Sequence, residues 1–259
     1  MSEANSIRDR FNLAGKVAII TGASRGIGEA MARGMGEFGA KVVVSSRSQE
    51  SVDAVAKDLG ERGIEAMGIA AHAGREDELK ALVDKTVKAW GGVDIVVNNA
   101  ATNPVFGPSA ELDEGAFNKI MVTNVYAPLA LARAALPSMQ QRGGGSVINI
   151  ASIGGVTPEP MLAAYSASKA ALISITKATA KEWGPDNVRV NAILPGLIKT
   201  KFARALWENE EMANEMIRMQ AVKRLGVPDD IAGLAVFLAS DAAAFCSGGL
   251  YVDDGGATI

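Results

Sequence analysis

The sequence predicts an α/β fold with one doubly wound, seven-stranded parallel sheet and helices on both faces. Three observations predict it. Short β-branched apolar runs alternate with longer amphipathic stretches, the pattern of βαβ units whose strands are covered on both faces. The first run passes straight into a glycine-rich turn, TGASRGIG at 21–28, and then into a helical pattern. The 259 residues are 48% apolar and 21% charged, enough for a sizeable core without disulfides or metal and unlike a disordered or fibrous chain.

In chain order the strand-like runs are 17–20, 42–44, 66–70, 93–97, 147–150, 188–193 and 249–252. Between them the apolar spacing predicts helices at 26–38, 49–62, 75–90, 110–121, 124–141, 162–183 and 229–239. Three glycines at 143–145 stop a helix before the fifth strand. With no linker-like composition or repeat, residues 12–259 read as a single domain preceded by an extension at 1–11. The long interval after strand six carries Trp207, Met212, Met216 and Met219 at helical spacing. Open parallel sheets bind ligands beyond the carboxyl ends of their strands, so this interval, about 197–227, is placed as a substrate lid.

Composition narrows the chemistry. A net charge of −3 gives no general attraction to nucleic acid or anionic membranes. The single cysteine, Cys246, excludes an internal disulfide framework and a Cys-rich zinc module, and suits a reducing compartment. The single histidine, His72, excludes two-histidine zinc hydrolases, and no metal site is expected. The polar N-terminus is not a secretory signal, no stretch approaches the ~18 apolar residues of a membrane span, and the terminal ATI lacks a peroxisomal tripeptide. The expected location is cytoplasmic.

Gly22, Gly26 and Gly28 are spaced G-x-x-x-G-x-G, with Ser24, Arg25 and Ile27 among them. Glycine allows a tight turn and lets backbone N–H groups and a helix N-terminus approach a pyrophosphate. At the end of the second strand, where an NAD enzyme usually carries an acid for the ribose 2′-OH, the chain has Ser46 and Arg47 and no acid before Glu50. Guanidinium groups at Arg47 and Arg25 suit a 2′-phosphate, which predicts NADP(H) over NAD(H). Tyr165 and Lys169 in YSASK share a helix face, Ser152 ends strand five, and Asn124 precedes a long helix.

With TGASRGIG, NNAA at 98–101, Asn124, Ser152, YSASK and LPGLIKT at 194–200, the chain resembles the short-chain dehydrogenase/reductase family over about residues 12–259. VVVSSR, AAHAGRED, NPVFG and LPGLIKTKF further resemble the NADPH-dependent carbonyl and retinal reductases of its member-4 branch, whose animal forms are peroxisomal. The resemblance implies Tyr165 as proton donor and acceptor, Lys169 favouring phenolate and holding the nicotinamide ribose, Ser152 donating to the substrate oxygen, and Asn124 organising a water near Lys169. It also implies Asn98 and Ala100 along the adenosine, and Pro195, Gly196, Ile198 and Thr200 at the nicotinamide and diphosphate. His72, with Ala73 beside it, stands where the family commonly has an Asp for adenine, and Ala101 replaces a common glycine.

Pro104, Val105 and Phe106, Ile153 and Gly154, and Leu206 and Trp207 are the candidate substrate-pocket residues. Their apolar character favours a hydrophobic ketone, aldehyde or secondary alcohol. The alternatives are a 3-oxoacyl-carrier-protein reductase and, in a different class, a non-enzymatic dinucleotide-sensing or scaffold protein. By the resemblance, the helices at 124–141 and 162–183 and the C-terminal strand pack against other copies in a homotetramer.

Overall fold

Seven strands form one sheet: β1 (Val17–Thr21), β2 (Lys41–Ser46), β3 (Ala66–Ala70), β4 (Ile95–Asn98), β5 (Gly145–Ile150), β6 (Val188–Pro195) and β7 (Leu250–Asp253). Their spatial order is β3-β2-β1-β4-β5-β6-β7, every pair parallel. The structure, a computed structural model, describes residues 6–259. Residues 1–5 of the expected extension, and the side chains of Ala205, Leu206 and Met212, lie outside the described residues.

Because side chains alternate along a strand, each strand serves two cores. Ala18 and Ile20 of β1 pack with Val42, Val44, Val97 and Ile148 beneath α1 (Gly26–Glu37) and α9 (Pro228–Ala239). Ile19 turns to the other face, where Val43, Val96 and Val147 meet Leu79 and Leu82 of α3 (Glu76–Trp90) and Leu131 of α5 (Ala127–Gln141). The remaining helices are α2 (Gln49–Glu61), α4 (Glu114–Met121), α6 (Ala163–Trp183), α7 (Arg204–Trp207) and α8 (Glu210–Met219). Local chemistry sets their ends: Ser48 Oγ accepts from Ser51 N to start α2, and Gly91, at φ 79°, closes α3.

The helix predicted at 110–121 starts at Glu114, because the Asp113 carboxylate accepts from Ala116 N and caps it there. Nor does it end before Asn124. Val122–Tyr126 form a π turn, closed by Ala127 N donating to Val122 O, that joins α4 and α5 into one helix. That fusion corrects the expectation about membrane spans. Glu114–Gln141, 28 residues with a window of mean hydropathy 1.2, is long and apolar enough to cross a membrane, and half of the window is buried inside the fold. Within the described part of the expected extension, the Phe11 ring lies tilted against that of Phe237 of α9, with ring centroids 6.2 Å apart.

All seven strands point the same way, so Thr21, Ser46, Ala70, Asn98, Ile150 and Pro195 share one edge of the sheet. The chain reverses its order between β1 and β4, which opens a crevice at that edge.

Candidate active site

One half of the crevice is the glycine turn. Gly22 and Gly26 have φ of 63° and 62°, a region L side chains rarely adopt. Gly28 follows in the first turn of α1, where a Cβ would lie 2.5 Å from Gly22 O and 2.6 Å from Asn99 Nδ2. Asn99 is the residue that motif reading passed over. Its Nδ2 donates to Thr21 O (2.9 Å) and Gly22 O (3.1 Å), while Thr21 Oγ1 accepts from the backbone N–H of Asn99 and Ala100 (both 3.1 Å). The turn is therefore stapled to the loop after β4, and its bare backbone is the kind of cradle a dinucleotide pyrophosphate fits. Thr200 Cγ2 stands 3.4 Å from where a Gly26 Cβ would be, so the segment after β6 overhangs the same cradle.

At the β2 end, Ser46 is half-buried and Arg47 exposed, and Arg25 is exposed at the N-terminus of α1. Neither guanidinium has an ion-pair or hydrogen-bond partner among the described residues, whereas Arg33, Arg62, Arg75, Arg133, Arg142 and Arg224 all pair with carboxylates. Beyond β3, His72 is half-buried. Its Nδ1 accepts from Gly74 N (3.0 Å) and its backbone N–H donates to Glu78 (2.7 Å), so the ring shapes its own loop. Ala73 packs against the core.

Two expected contacts have their side chains elsewhere. Asn98 is buried between β4 and β5, its Nδ2 donating to Asn149 Oδ1 (2.8 Å) and Pro128 O (3.1 Å). Ile198 is buried in the core, and its main chain forms an isolated bridge with Gly226. What these two residues can offer a ligand is backbone. Pro195 is buried at the end of β6, and Gly196 lies so close to Asp254 that a Cβ would be 2.7 Å from that residue's Cβ.

The other half of the crevice gathers Ser152, Tyr165 and Lys169. Ser152 leaves β5 in an extended conformation, and its Oγ accepts from Gly154 N (3.1 Å) while hydrogen-bonding the Tyr165 phenol. Lys169, one turn beyond Tyr165 on α6, is buried; Nζ donates to Ile150 O (2.7 Å) and lies 5.6 Å from the centre of the Tyr165 ring. Burial dominates both groups. It pushes the phenol up to about 12, against the Ser152 hydrogen bond, and pulls the ammonium down to about 8. The phenol is thus raised, not lowered as the lysine's presence suggested, because desolvation outweighs a cation that sits beside the ring with its nearest hydrogen bond to a backbone carbonyl. Asn124, buried in the π turn, exchanges hydrogen bonds with the Thr102 main chain.

Around Tyr165 the surface is apolar. Phe202, in the lid and absent from the sequence candidates, is 59% exposed with its ring 6.3 Å from that of Tyr165. Phe106 and Pro104 are exposed on the loop after β4, and Val105, Met161 and Leu162 border a small hollow beside Tyr165. Ile153 packs partly into the cluster under α6. Trp207 is tethered rather than free: its indole N–H donates to Thr200 O (2.7 Å), and Lys199 Nζ lies 5.1 Å over its ring. The Leu206 side chain lies outside the described residues.

A seven-stranded parallel sheet with a glycine turn after β1 and a Tyr-Ser-Lys group at its carboxyl edge defines a nucleotide-dependent oxidoreductase fold, and the chain belongs to the short-chain dehydrogenase/reductase family. The family described as Enoyl-(Acyl carrier protein) reductase matches residues 22–258. The chain is 43% identical over 247 residues to Dehydrogenase/reductase SDR family member 4 of Homo sapiens, covering 95% of this chain and 89% of that protein. It is 42% identical over 242 residues to Tropinone reductase-like 3 of Erythroxylum coca, covering 93% of each. Among solved structures, a gluconate 5-dehydrogenase from Burkholderia cenocepacia J2315 in complex with NADP and tartrate superposes with a TM-score of 0.93 at 32% identity, over 96% of this chain and 98% of that one. A 7α-hydroxysteroid dehydrogenase complexed with NADH and 7-oxo glycochenodeoxycholic acid does so with a TM-score of 0.93 at 34% identity, over 96% of each.

Proposed function

We propose that the protein is an NADP(H)-dependent reductase of hydrophobic ketones and aldehydes, able to run in reverse on the secondary alcohols. The observation that carries the reading is the convergence of Ser152, Tyr165 and Lys169 on one apolar-rimmed edge of the glycine cradle. The two unpartnered guanidiniums of Arg25 and Arg47, with no carboxylate at the end of β2, favour the phosphorylated cofactor, whose 2′-phosphate accepts several charge-assisted hydrogen bonds. The cradle backbone, Arg25, Arg47 and the Pro195–Thr200 main chain hold that cofactor, and when bound it supplies the hydride.

The chain's own residues manage the oxygen and the proton. Ser152 donates to the carbonyl oxygen and stabilises the charge developing there. Tyr165, its phenol raised to about 12, keeps its proton at neutral pH and gives it to the nascent alkoxide. Lys169, mostly protonated below about 8, compensates the phenolate left behind. Asn124 anchors the turn beside Lys169. Phe202 beside the Tyr165 ring, with Val105 and Met161 at the hollow next to it, suits an apolar body better than a sugar phosphate.

We extend the proposal to a cytoplasmic homotetramer. The lone Cys246 suits a reducing compartment, and the exposed Phe245 and Val252 near the C-terminus are apolar surface that an assembly covers. Light scattering that returned a monomer would remove the assembly.

The deciding experiment follows NADPH and NADH absorbance over a panel of aromatic ketones, diketones, retinal and acyl-carrier-protein thioesters, with Tyr165→Phe alongside. The reading expects turnover of apolar carbonyls with NADPH, and loss of turnover with retained NADPH binding in the variant. Reaction with acyl-carrier-protein thioesters alone would favour the reading that the family match suggests, and binding without any turnover would favour a sensor.

A further inference from the structure

We propose that Ser168 is a positioning residue of this reaction, its hydroxyl coupling the π turn that carries Asn124 to the first turn of α6 and thereby setting where Tyr165 and Lys169 stand. The inference rests on the carbonyl-reductase reading above.

Ser168 is fully buried, and its hydroxyl is used in both directions. Oγ donates to the Tyr165 carbonyl (2.6 Å) and accepts from Asn124 Nδ2 (3.1 Å). Asn124, 1% exposed, is equally committed: Oδ1 accepts from Thr102 N (2.8 Å), and Nδ2 also donates to Thr102 O (3.0 Å). One unbroken chain of hydrogen bonds thus runs from the loop after β4, through the π turn, to the backbone of Tyr165. A hydroxyl bonded back to its own helix is commonplace, and α6 has two more, Thr176 to Leu172 O and Thr179 to Ile175 O. Thr176 also accepts from Asn149, which ties α6 to the sheet in mid-helix. Ser168 is the hydroxyl that ties α6 to the π turn, one residue before Lys169 and three after Tyr165.

Such a tie matters because a buried, fully satisfied polar network selects one geometry, and proton transfer tolerates little displacement. Among the described residues the hydrogen bond from Asn124 Nδ2 is what joins the side chains of the π turn to a hydroxyl of α6. Ser166 is the natural contrast. It lies in the same helical turn, equally buried, with Oγ lacking any partner.

The experiment compares Ser168→Ala with wild type and with Ser166→Ala, measuring kcat for a hydrophobic ketone, the NADPH dissociation constant by fluorescence and the urea unfolding midpoint. Expected for Ser168→Ala is a kcat lower by about 10- to 100-fold with NADPH affinity within about threefold, and a loss below about threefold when the change is made in Asn124→Ala, since the two act as one unit. Ser166→Ala should keep its kcat. An unchanged kcat, additivity with Asn124→Ala, equal loss in Ser166→Ala, or a kcat loss matched by NADPH affinity and unfolding midpoint would each overturn the inference. If Ser168→Ala does not fold, Ser168→Cys, which keeps the volume and weakens the hydrogen bonds, is judged by the same criteria. A wild type that reduces no carbonyl compound with either cofactor would instead sink the functional reading, and this inference with it.

Discussion

Replacing Lys169 by Met tests the electrostatics of the site without relying on any substrate. Met keeps the length of the side chain and removes the charge. Folding lowers the ammonium from its ordinary 10.5 to about 8 through burial, so the charged form is held at a penalty of about 3 kcal/mol at neutral pH. Against this, the ammonium donates to Ile150 O, a charge-assisted bond of about 1.5–3 kcal/mol whose loss leaves a buried carbonyl short of a donor. The two terms nearly cancel, so stability at pH 7 alone decides little. The pH dependence decides more. A folded value below the unfolded one means the unfolded chain binds more protons between about pH 8 and 10.5, so wild-type stability rises with pH across that window. The variant lacks this contribution. Urea unfolding followed by tryptophan fluorescence should show the wild type gaining about 2.5 kcal/mol on Lys169→Met between about pH 7 and pH 10. Stability curves that run parallel over this range would show that the ammonium is not buried at cost, and the assignment of a cation that loses its proton near pH 8 would fall.

Arg25→Ala and Arg47→Ala should each raise the KM for NADPH by about 10-fold or more while leaving that for NADH within about threefold, as lost contacts to a single phosphate would. Steady-state kinetics with both cofactors reads this directly, and equal losses for the two would refute it. Gly28→Ala should destabilise the fold by about 1–3 kcal/mol and weaken dinucleotide binding, since its Cβ would press on Gly22 O and Asn99 Nδ2 in a turn that has no room to yield; urea unfolding and cofactor titration measure the two effects. Asp94→Ala should cost about 3 kcal/mol at neutral pH, because the buried carboxylate accepts from both Arg142 Nε and Val17 N (each 2.8 Å) and its loss strands both donors. A change under about 0.5 kcal/mol in urea would show the pair to be an ordinary surface contact.

How far the sequence reached depends on whether a feature is written in composition or in space. The seven strands were legible because a strand covered on both faces is apolar along most of its length, and 17–20 or 42–44 can be little else. The π turn was not. An i→i+5 turn has no residue preference of its own, so the weak periodicity near Asn124 read as a gap between two helices when the backbone in fact runs through it. The cradle glycines announced themselves, yet of the adjacent Asn98 and Asn99 the motif could not say which one grips the turn.

Strand alternation answers that last question and shows where the site's precision comes from. Val97 faces the α1 side of the sheet, so Asn98, the last strand residue, faces the α5 side and spends its amide on Pro128 and Asn149. Asn99, one step beyond the strand, is the first residue free to turn back over β1, and it takes the Thr21 and Gly22 carbonyls. The same logic separates the serines of YSASK. Ser166 and Ser168 differ by two positions, about 200° around the helix, so one hydroxyl lies toward Gly154 and the other toward the π turn. Which of two identical residue types does the holding is decided by the direction its neighbours impose, and for Phe202, whose place beside Tyr165 depends on how the lid returns across the sheet edge, no local pattern carries that information.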